Sequence, residues 1–172
     1  MLIQVPDQSV DLVVATNVLG YLTELEEMFF WEQVSRILVP NGSVLVTVGN
    51  KLFDLFALNS GTAEFFANEL NVPGAGSLLT LGTTKRFKNA RRHNPLSFVD
   101  SMRGLGFSLK AQSFSQWHHT PPAILERDLN LTLREARAKA RDNVFDPNSL
   151  PLAERWRNYF QCSVVGLLFQ RI

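Results

Sequence analysis

Three short, mostly polar stretches are the parts of this sequence whose residue types could do chemistry. Each one follows a segment that we predict to be a strand. Because the carboxyl ends of parallel strands share one edge of an open α/β sheet, and ligands bind beyond that edge, we predict that the three stretches contribute to one site. The residues concerned are Thr16, Asn17, Val18, Asn50, Lys51, His118 and His119.

The two adjacent histidines are the candidates for proton transfer. A histidine with a pKa near neutrality can remove a proton from a hydroxyl or amine group of a substrate. Neighbouring residues of an extended chain point to opposite sides, so His118 and His119 are not expected to face one substrate together or to chelate one metal ion. We predict a catalytic role for this pair and no metal site, with surface or hydrogen-bonded histidines as the alternative.

An aromatic segment and a basic run supply candidates for substrate binding. Aromatic residues recur from Phe53 to Phe66, which indicates an acceptor pocket or, alternatively, plain core. The basic run would meet an anionic acceptor such as a phosphate-bearing glycan precursor, and its alternative is a solvated loop. It comprises Lys85, Arg86, Lys88, Arg91 and Arg92. The predicted substrate-binding residues are Asn50, Lys51, Phe53, Phe56 and Arg92.

The elements that must position the first two stretches form a strand-helix-strand unit. Val10 to Ala15 is a short, valine-rich run typical of a strand buried on both faces. Thr23 and Glu26 form a capping-box pattern that predicts a helix from about Glu24 to Leu38. Pro40-Asn41-Gly42 then predicts a turn with a positive φ, and Ser43 to Val48 a second strand. Short connections of this kind produce a right-handed crossover between parallel strands.

The rest of the chain predicts helices and two further strands. Asn94-Pro95 begins a helix that ends at Gly106, and Phe107 to Trp117 alternates as an edge-like strand. A capping box at Thr132 opens a charged helix to about Asp142, and Cys162 to Phe169 is a last buried strand. We predict one α/β domain over residues 1–172. Residues 51–93 are an inserted lid or substrate segment, and residues 118–158 a helical insertion before the last strand.

Composition indicates an ordinary soluble domain. The chain has 172 residues, 45% of them apolar, with a formal net charge of +1, so tight nucleic-acid binding by bulk charge is not expected. Its one cysteine, Cys162, excludes an internal disulfide framework. The first residues lack the pattern of a secretory signal, and no apolar run approaches the roughly eighteen residues that span a bilayer. We therefore predict a cytoplasmic protein.

The two strand-and-turn segments resemble the fourth and fifth strands of class I S-adenosylmethionine-dependent methyltransferases of the type 11 group. The residues that carry the resemblance are Asp11 to Leu19 and Arg36 to Val48, with modest support from Leu105-Gly106-Phe107 before a strand. The resemblance implies a partial Rossmann-like sheet with strands equivalent to 4, 5, 7 and 6 and helices on both faces. The last strand, Cys162 to Phe169, would lie antiparallel between Ser43 to Val48 and Phe107 to Trp117.

The resemblance implies that the protein transfers a methyl group from S-adenosylmethionine to a small-molecule or glycan acceptor. Thr16, Asn17 and Val18 match the stretch that lines the amino-acid and sulfonium side of the cofactor. Tyr21 falls where relatives often carry a histidine, and would border the position of methyl transfer.

The sequence departs from the family because no Gly-x-Gly cofactor turn follows a first strand. Gly74-Ala75-Gly76 is no substitute, since no strand precedes it. The chain is then expected to be either a fragment of a longer frame or a shortened relative. The alternative function is a catalytically inactive half-fold that acts as a binding or regulatory module, and a nicotinamide-dependent oxidoreductase is a third. The valine-rich first strand would lie at a sheet edge, which predicts self-association there.

Overall fold

The computed structural model describes residues 4–57 and 91–172. Its strands are β1 (Val10–Thr16), β2 (Leu38–Gly49), β3 (Phe107–His118), β4 (Arg141–Asp142) and β5 (Cys162–Arg171). Its helices are α1 (Glu24–Ile37), α2 (Phe53–Ala57), α3 (Pro95–Gly104), α4 (Pro122–Leu129), α5 (Leu133–Ala140) and α6 (Trp156–Gln161). Predictions that concern Phe65 and Phe66, the Gly74-Ala75-Gly76 turn and the basic residues Lys85, Arg86 and Lys88 lie outside the described residues.

The strand-helix-strand unit forms because local signals agree with the apolar pattern. The Thr23 hydroxyl accepts the backbone N–H of Glu26, and the Glu26 carboxylate accepts the backbone N–H of Thr23, so the predicted capping box opens α1. After α1 the chain enters β2 directly, and the pairing with β1 shifts between Val10 and Leu12. Asn41 has the predicted positive φ, at 63°, so this turn is a bulge within β2.

The described strands form one sheet in the order β1-β2-β5-β3-β4. β1 and β2 are parallel, with Val13 beside Val44 and Ala15 beside Val46. β5 is antiparallel to β2 and separates it from β3. The predicted parallel pair is therefore confirmed, and so is the position of the last strand between the second and third.

The predicted charged helix is shorter than expected. α5 begins after its Thr132 capping box and ends at Ala140, whereas the sequence predicted a helix to about Asp142. Arg141 and Asp142 instead pair as β4 with His118 and Trp117 of β3. The backbone N–H of Arg141 still donates to the carbonyl oxygen of Arg137, so the chain passes directly from the last turn of α5 into this short strand.

The described residues divide into two compact units. Unit 1 contains residues 4–49, 91–113 and 164–172, and unit 2 contains residues 50–57 and 114–163. β3 and β5 contribute residues to both. The predictions of a single domain, of an insertion at 51–93 and of a helical insertion at 118–158 stay predictions.

The core of unit 1 lies on one face of the sheet. Trp31 of α1 packs against Phe98 of α3 and Phe107 of β3, with ring centroids 6.0 Å apart in each pair. Phe98 also contacts Phe169, the β5 residue that pairs with Val44. The described helices of unit 1, α1 and α3, therefore cover the face that carries Val44 and Phe169. That helices cover both faces of the sheet stays a prediction.

The sequence predicted that β1 is buried on both faces, and this prediction is wrong: in the described part of the chain its opposite face is exposed. Side chains alternate along a strand, so Leu12 and Val14 point away from the helix-covered face. They are 53% and 55% exposed, although both are large and apolar. In the described part of the chain β1 pairs only with β2, and its other edge has no strand beside it.

Unit 2 is held by aromatic packing and by asparagine side chains that bind backbone groups. Phe114 packs edge-on against Tyr159 at 4.9 Å, and Trp117 lies 4.9 Å from Phe145. The Asn148 amide accepts the N–H of Phe114 and donates to its carbonyl oxygen.

Within residues 4–57 and 91–172 no helix has the length and apolar character needed to cross a membrane.

Candidate functional site

In unit 1 the chain leaves β1 through a turn that Asn17 and Thr47 stabilise together. Asn17 has a φ of 54°, a left-handed conformation that asparagine tolerates better than most residues. Its backbone N–H donates to the Thr47 hydroxyl over 2.9 Å, and that hydroxyl donates to Asn17 Oδ1 over 3.3 Å. Because Thr47 pairs with Thr16, the polar turn lies at the carboxyl ends of both parallel strands.

The residues after this turn border an apolar groove. Val18 is exposed, and Tyr21, in the 3-10 turn Leu19–Tyr21, is 78% exposed. The groove has a volume of about 440 Å³. Its lining is Val18, Leu22, Leu25, Glu26, Phe29, Phe30 and Gln33. Thr16, Asn17, Val18 and Tyr21 are thus exposed at the edge where the sequence predicts a ligand.

Residues 91–93, which we call the strap, cross this edge of unit 1. The backbone N–H of Arg91 donates to the carbonyl oxygen of Gly20, and the N–H of His93 donates over 2.9 Å to the carbonyl oxygen of Gly49. Gly20 belongs to the turn after β1, and Gly49 ends β2. A Cβ added at Gly49 would lie 3.2 Å from Cγ of Arg92, so the stem of Arg92 lies close over this glycine.

Side chains of the strap meet Glu27 of α1. His93 Nε2 lies 3.1 Å and 3.2 Å from the two carboxylate oxygens, and Arg91 pairs with the same carboxylate. Trp31 Nε1 donates to Glu27 Oε1 over 3.4 Å. Sequence reasoning missed Glu27 and His93 as site residues. The signal that could have found them was a third histidine directly before the Asn94 helix cap, where the chain returns to the sheet.

Asn50, a predicted substrate-binding residue, is buried in unit 2 with a structural set of contacts. Its side-chain Nδ2 donates to the carbonyl oxygens of Tyr159 and Cys162, over 2.7 and 2.8 Å. Its Oδ1 accepts the N–H of Leu52. These bonds tie the end of α6 to the chain that leaves β2. Lys51 is half-buried beside it.

His118 is buried, only 3% exposed, and its ring lies 4.6 Å from that of Phe53. Nδ1–H donates to the carbonyl oxygen of Gln116 over 2.7 Å. Burial lowers the pKa of His118 from 6.5 to about 4, although hydrogen bonds to the backbone of Gln116 and Gln161 partly oppose the shift. The ring is therefore neutral at pH 7, and a base with so low a pKa removes protons weakly.

His119 points the other way, as the alternation of an extended chain requires. Its side chain is 58% exposed, and Nε2–H donates to Asp142 Oδ2 over 2.7 Å. Nδ1 accepts the indole N–H of Trp117 over 3.2 Å. The backbone N–H groups of Phe145 and Val144, and then the His119 ring, lower the pKa of Asp142. Both ring nitrogens of His119 are thus engaged, and His119 Nδ1 could accept a proton from a substrate only if its bond to the Trp117 indole broke.

The structure therefore distributes the predicted site residues between the two units. Thr16, Asn17, Val18, Tyr21 and Arg92 belong to unit 1, whereas Asn50, Lys51, Phe53, Phe56, His118 and His119 belong to unit 2. Within unit 2 it brings Phe53 and Phe56 together, with ring centroids 6.1 Å apart, and Phe53 against His118. Among the described residues no His, Cys, Asp or Glu cluster has the arrangement of a metal site.

No protein-family model and no curated protein matches this sequence. Solved structures do match its fold. A SAM-dependent methyltransferase from Archaeoglobus fulgidus aligns at a TM-score of 0.51 and 10% identity, over 99% of this chain and 63% of that one. An S-adenosylmethionine-dependent methyltransferase from Mesorhizobium loti aligns at a TM-score of 0.48 and 10% identity, over 97% of this chain and 64% of that one.

The comparison with the Archaeoglobus fulgidus protein defines the class of fold. It shows a mixed α/β arrangement similar to that of S-adenosylmethionine-dependent methyltransferases. The chain spans less than two thirds of the length of either of these structures. At this identity the similarity concerns the fold, and function has to be argued from the site.

Proposed function

We propose that this chain acts in methyl transfer from S-adenosylmethionine, as part of a class I methyltransferase fold of the type 11 group. In this proposal β1, β2, β5 and β3 correspond to the fourth, fifth, seventh and sixth strands of that fold. The observation that carries it is the polar turn at Asn17, at the carboxyl ends of two parallel strands in a chain with a methyltransferase-like fold. Ligands of open α/β sheets bind at this edge.

The residues proposed to hold the cofactor are Thr16, Asn17 and Val18. They fit its amino-acid and sulfonium end, because the Asn17 turn presents oxygen atoms at the edge, and oxygen atoms suit positively charged ammonium and sulfonium groups. No Gly-x-Gly turn follows any described strand, so the fit concerns only this end of the cofactor. S-adenosylmethionine supplies an activated methyl group, so binding and alignment are the main tasks of the protein.

For the acceptor we propose a small molecule or glycan. Tyr21, exposed beside the cofactor turn, would border the methyl-transfer position. Phe53, Phe56, Asn50, Lys51 and Arg92 are the proposed acceptor-binding residues, and His118 or His119 the proposed proton acceptor. His119 is the better of the two, because its ring is exposed whereas that of His118 is buried. We place the protein in the cytoplasm, in keeping with its single, buried, unpaired Cys162.

Isothermal titration with S-adenosylmethionine tests the proposal, on this chain and on a version extended upstream in its reading frame. Binding by either form supports a methyltransferase. If the Asn17 turn contacts the cofactor, Asn17→Ala should weaken the affinity for S-adenosylmethionine by about tenfold. Ser163→Ala, in unit 2, is the matched control and should bind as the wild type does. Absence of binding by both forms would overturn the proposal.

A binding or regulatory module without catalysis is the second candidate. The open β1 edge and the exposed Leu12 and Val14 favour it, because such a surface is normally covered by a partner. Cofactor binding separates the two candidates, since the module needs no S-adenosylmethionine.

A further inference from the structure

We propose that Glu27 is a positioning residue for the ligand-binding edge of unit 1. Glu27 anchors the strap, residues 91–93, across the carboxyl ends of β1 and β2. The affinity of a ligand bound at this edge then depends on Glu27, although Glu27 does not touch the ligand. The proposal rests on the proposed function for the identity of the ligand. The anchoring itself rests on contacts of the described residues alone.

One end of the strap is bound to the turn that follows β1 and the other to the last residue of β2. Arg91 is joined through its backbone to Gly20, in the turn that follows β1, and His93 is joined to Gly49, the last residue of β2. These two backbone hydrogen bonds fix the path of the strap. Each of them has only a modest net strength. The side chains must supply the rest of the anchoring.

Glu27 supplies it from the helix. Its carboxylate is only 12% exposed and meets three donors: the Arg91 guanidinium, His93 Nε2 and the Trp31 indole N–H. A nearly buried carboxylate is costly unless it is paired and hydrogen-bonded, so these donors and Glu27 stabilise one another. Among the described residues, truncation of Glu27 would leave the Arg91 charge, 33% exposed, with Glu24 as its acidic partner, 3.7 Å away and itself well exposed.

The contact also orients the imidazole of His93. Because Nε2 faces a carboxylate, this nitrogen carries a proton, and the ring is held edge-on against Phe98 at 5.1 Å. Phe98 belongs to the core of unit 1, so the strap is connected through His93 to packed side chains. A disturbance at Glu27 is therefore expected to move residues 91–93 while the sheet remains intact.

Amide hydrogen exchange measured by NMR tests the anchoring. In Glu27→Ala the His93 amide, which is bonded to Gly49, should exchange about tenfold faster than in the wild type, as the loss of a charged hydrogen bond predicts. The Val46 amide, in the centre of the sheet, reports whether the variant is folded. Glu27→Gln keeps the shape of the side chain, and its His93 amide should exchange at a rate between those of the wild type and Glu27→Ala. Glu32→Gln, at an exposed position of α1, is the matched control and should exchange as the wild type does. Unchanged exchange at His93 in a folded Glu27→Ala protein would overturn the proposal.

Titration with S-adenosylhomocysteine tests the ligand part in the same samples. Glu27→Ala should bind about tenfold more weakly than the wild type, because a displaced positioning group weakens a site it does not touch. Glu32→Gln should bind as the wild type does. The His93 amide resonance should shift on binding. Equal affinity of wild type and Glu27→Ala would overturn the ligand part. If neither the wild type nor the form extended upstream binds, the proposed function and the ligand part of this proposal both fail. The exchange experiment then decides the anchoring.

Discussion

Thr47 and Asn17 are joined by a reciprocal pair of hydrogen bonds at the carboxyl ends of β1 and β2. The Thr47 hydroxyl accepts the backbone N–H of Asn17 and donates to its side-chain oxygen, so one side chain stabilises a left-handed turn thirty residues away in sequence. The proposed cofactor contacts depend on the shape of this turn.

Thr47→Val should destabilise the protein, because the valine removes both bonds while it preserves the shape of the side chain. The expected loss is about 1–2 kcal/mol, a typical value for an unmatched backbone donor and one hydrogen bond. Urea unfolding followed by circular dichroism measures it. Thr16→Val, at the exposed partner position of β1, is the control and should leave stability close to that of the wild type. Equal stability of both variants would mean that the Asn17 turn does not need the Thr47 hydroxyl.

The buried ring of His118 predicts a dependence of stability on pH. Its pKa is about 4 in the folded protein and 6.5 as the ordinary value, so between these limits the unfolded chain binds more protons than the native one. The contribution of this ring to the free energy of unfolding is therefore fully present above about pH 6.5. It is lost as the pH falls towards 4, and the loss amounts to up to about 3 kcal/mol.

Unfolding free energies of the wild type and of His118→Gln, measured from pH 4 to 8, test this expectation. The difference between the two should change across that window. Parallel profiles for wild type and His118→Gln would contradict a buried, neutral ring.

Cys162 should be unreactive in the native state. The thiol is buried, and burial raises its pKa to about 12, so almost none of the reactive thiolate forms at pH 8. A colorimetric disulfide reagent should label it only as fast as the protein unfolds. Val14→Cys places a second thiol on the open face of β1 and should be labelled at once. Rapid labelling of the wild type would show that the start of β5 opens readily.

The open face of β1 predicts self-association. Leu12 and Val14 are half exposed beside an edge without a strand neighbour in the described part of the chain, an arrangement that promotes pairing between copies. Light scattering after size exclusion should show dimers or larger species at micromolar concentration, and Val14→Lys should shift them towards monomer. The exposed Leu152, in unit 2, gives the control variant Leu152→Lys. A clean monomer for the wild type would remove the support for this surface.

The elements were predictable from sequence because their signals are local. The Thr23 and Thr132 capping boxes, the valine-rich runs and the Asn41 turn each act within a few residues, and the structure contains all of them. The helix at Thr132 was predicted two residues too long because its end depends on pairing with β3, which no local pattern reveals.

The site was less predictable, because its contacts join residues that are far apart. The sequence indicated the turn at Asn17, but not that Thr47 would stabilise it or that Glu27 would meet His93 at a separation of 66 residues. It also indicated that His118 and His119 point to opposite sides. It did not indicate that His118 is buried against Phe53, or that His119 lies between Trp117 and Asp142.

The sequence by itself determined the strand-helix-strand unit with its two parallel strands, the helices that open at Asn94 and Thr132, and the two later long strands, because periodicity, caps and turn residues act over short distances. Only the tertiary structure decided which side chains share a carboxylate, which histidine is kept neutral and which face of β1 is open. These properties depend on burial and on hydrogen bonds between distant segments, which exist only when the chain is folded.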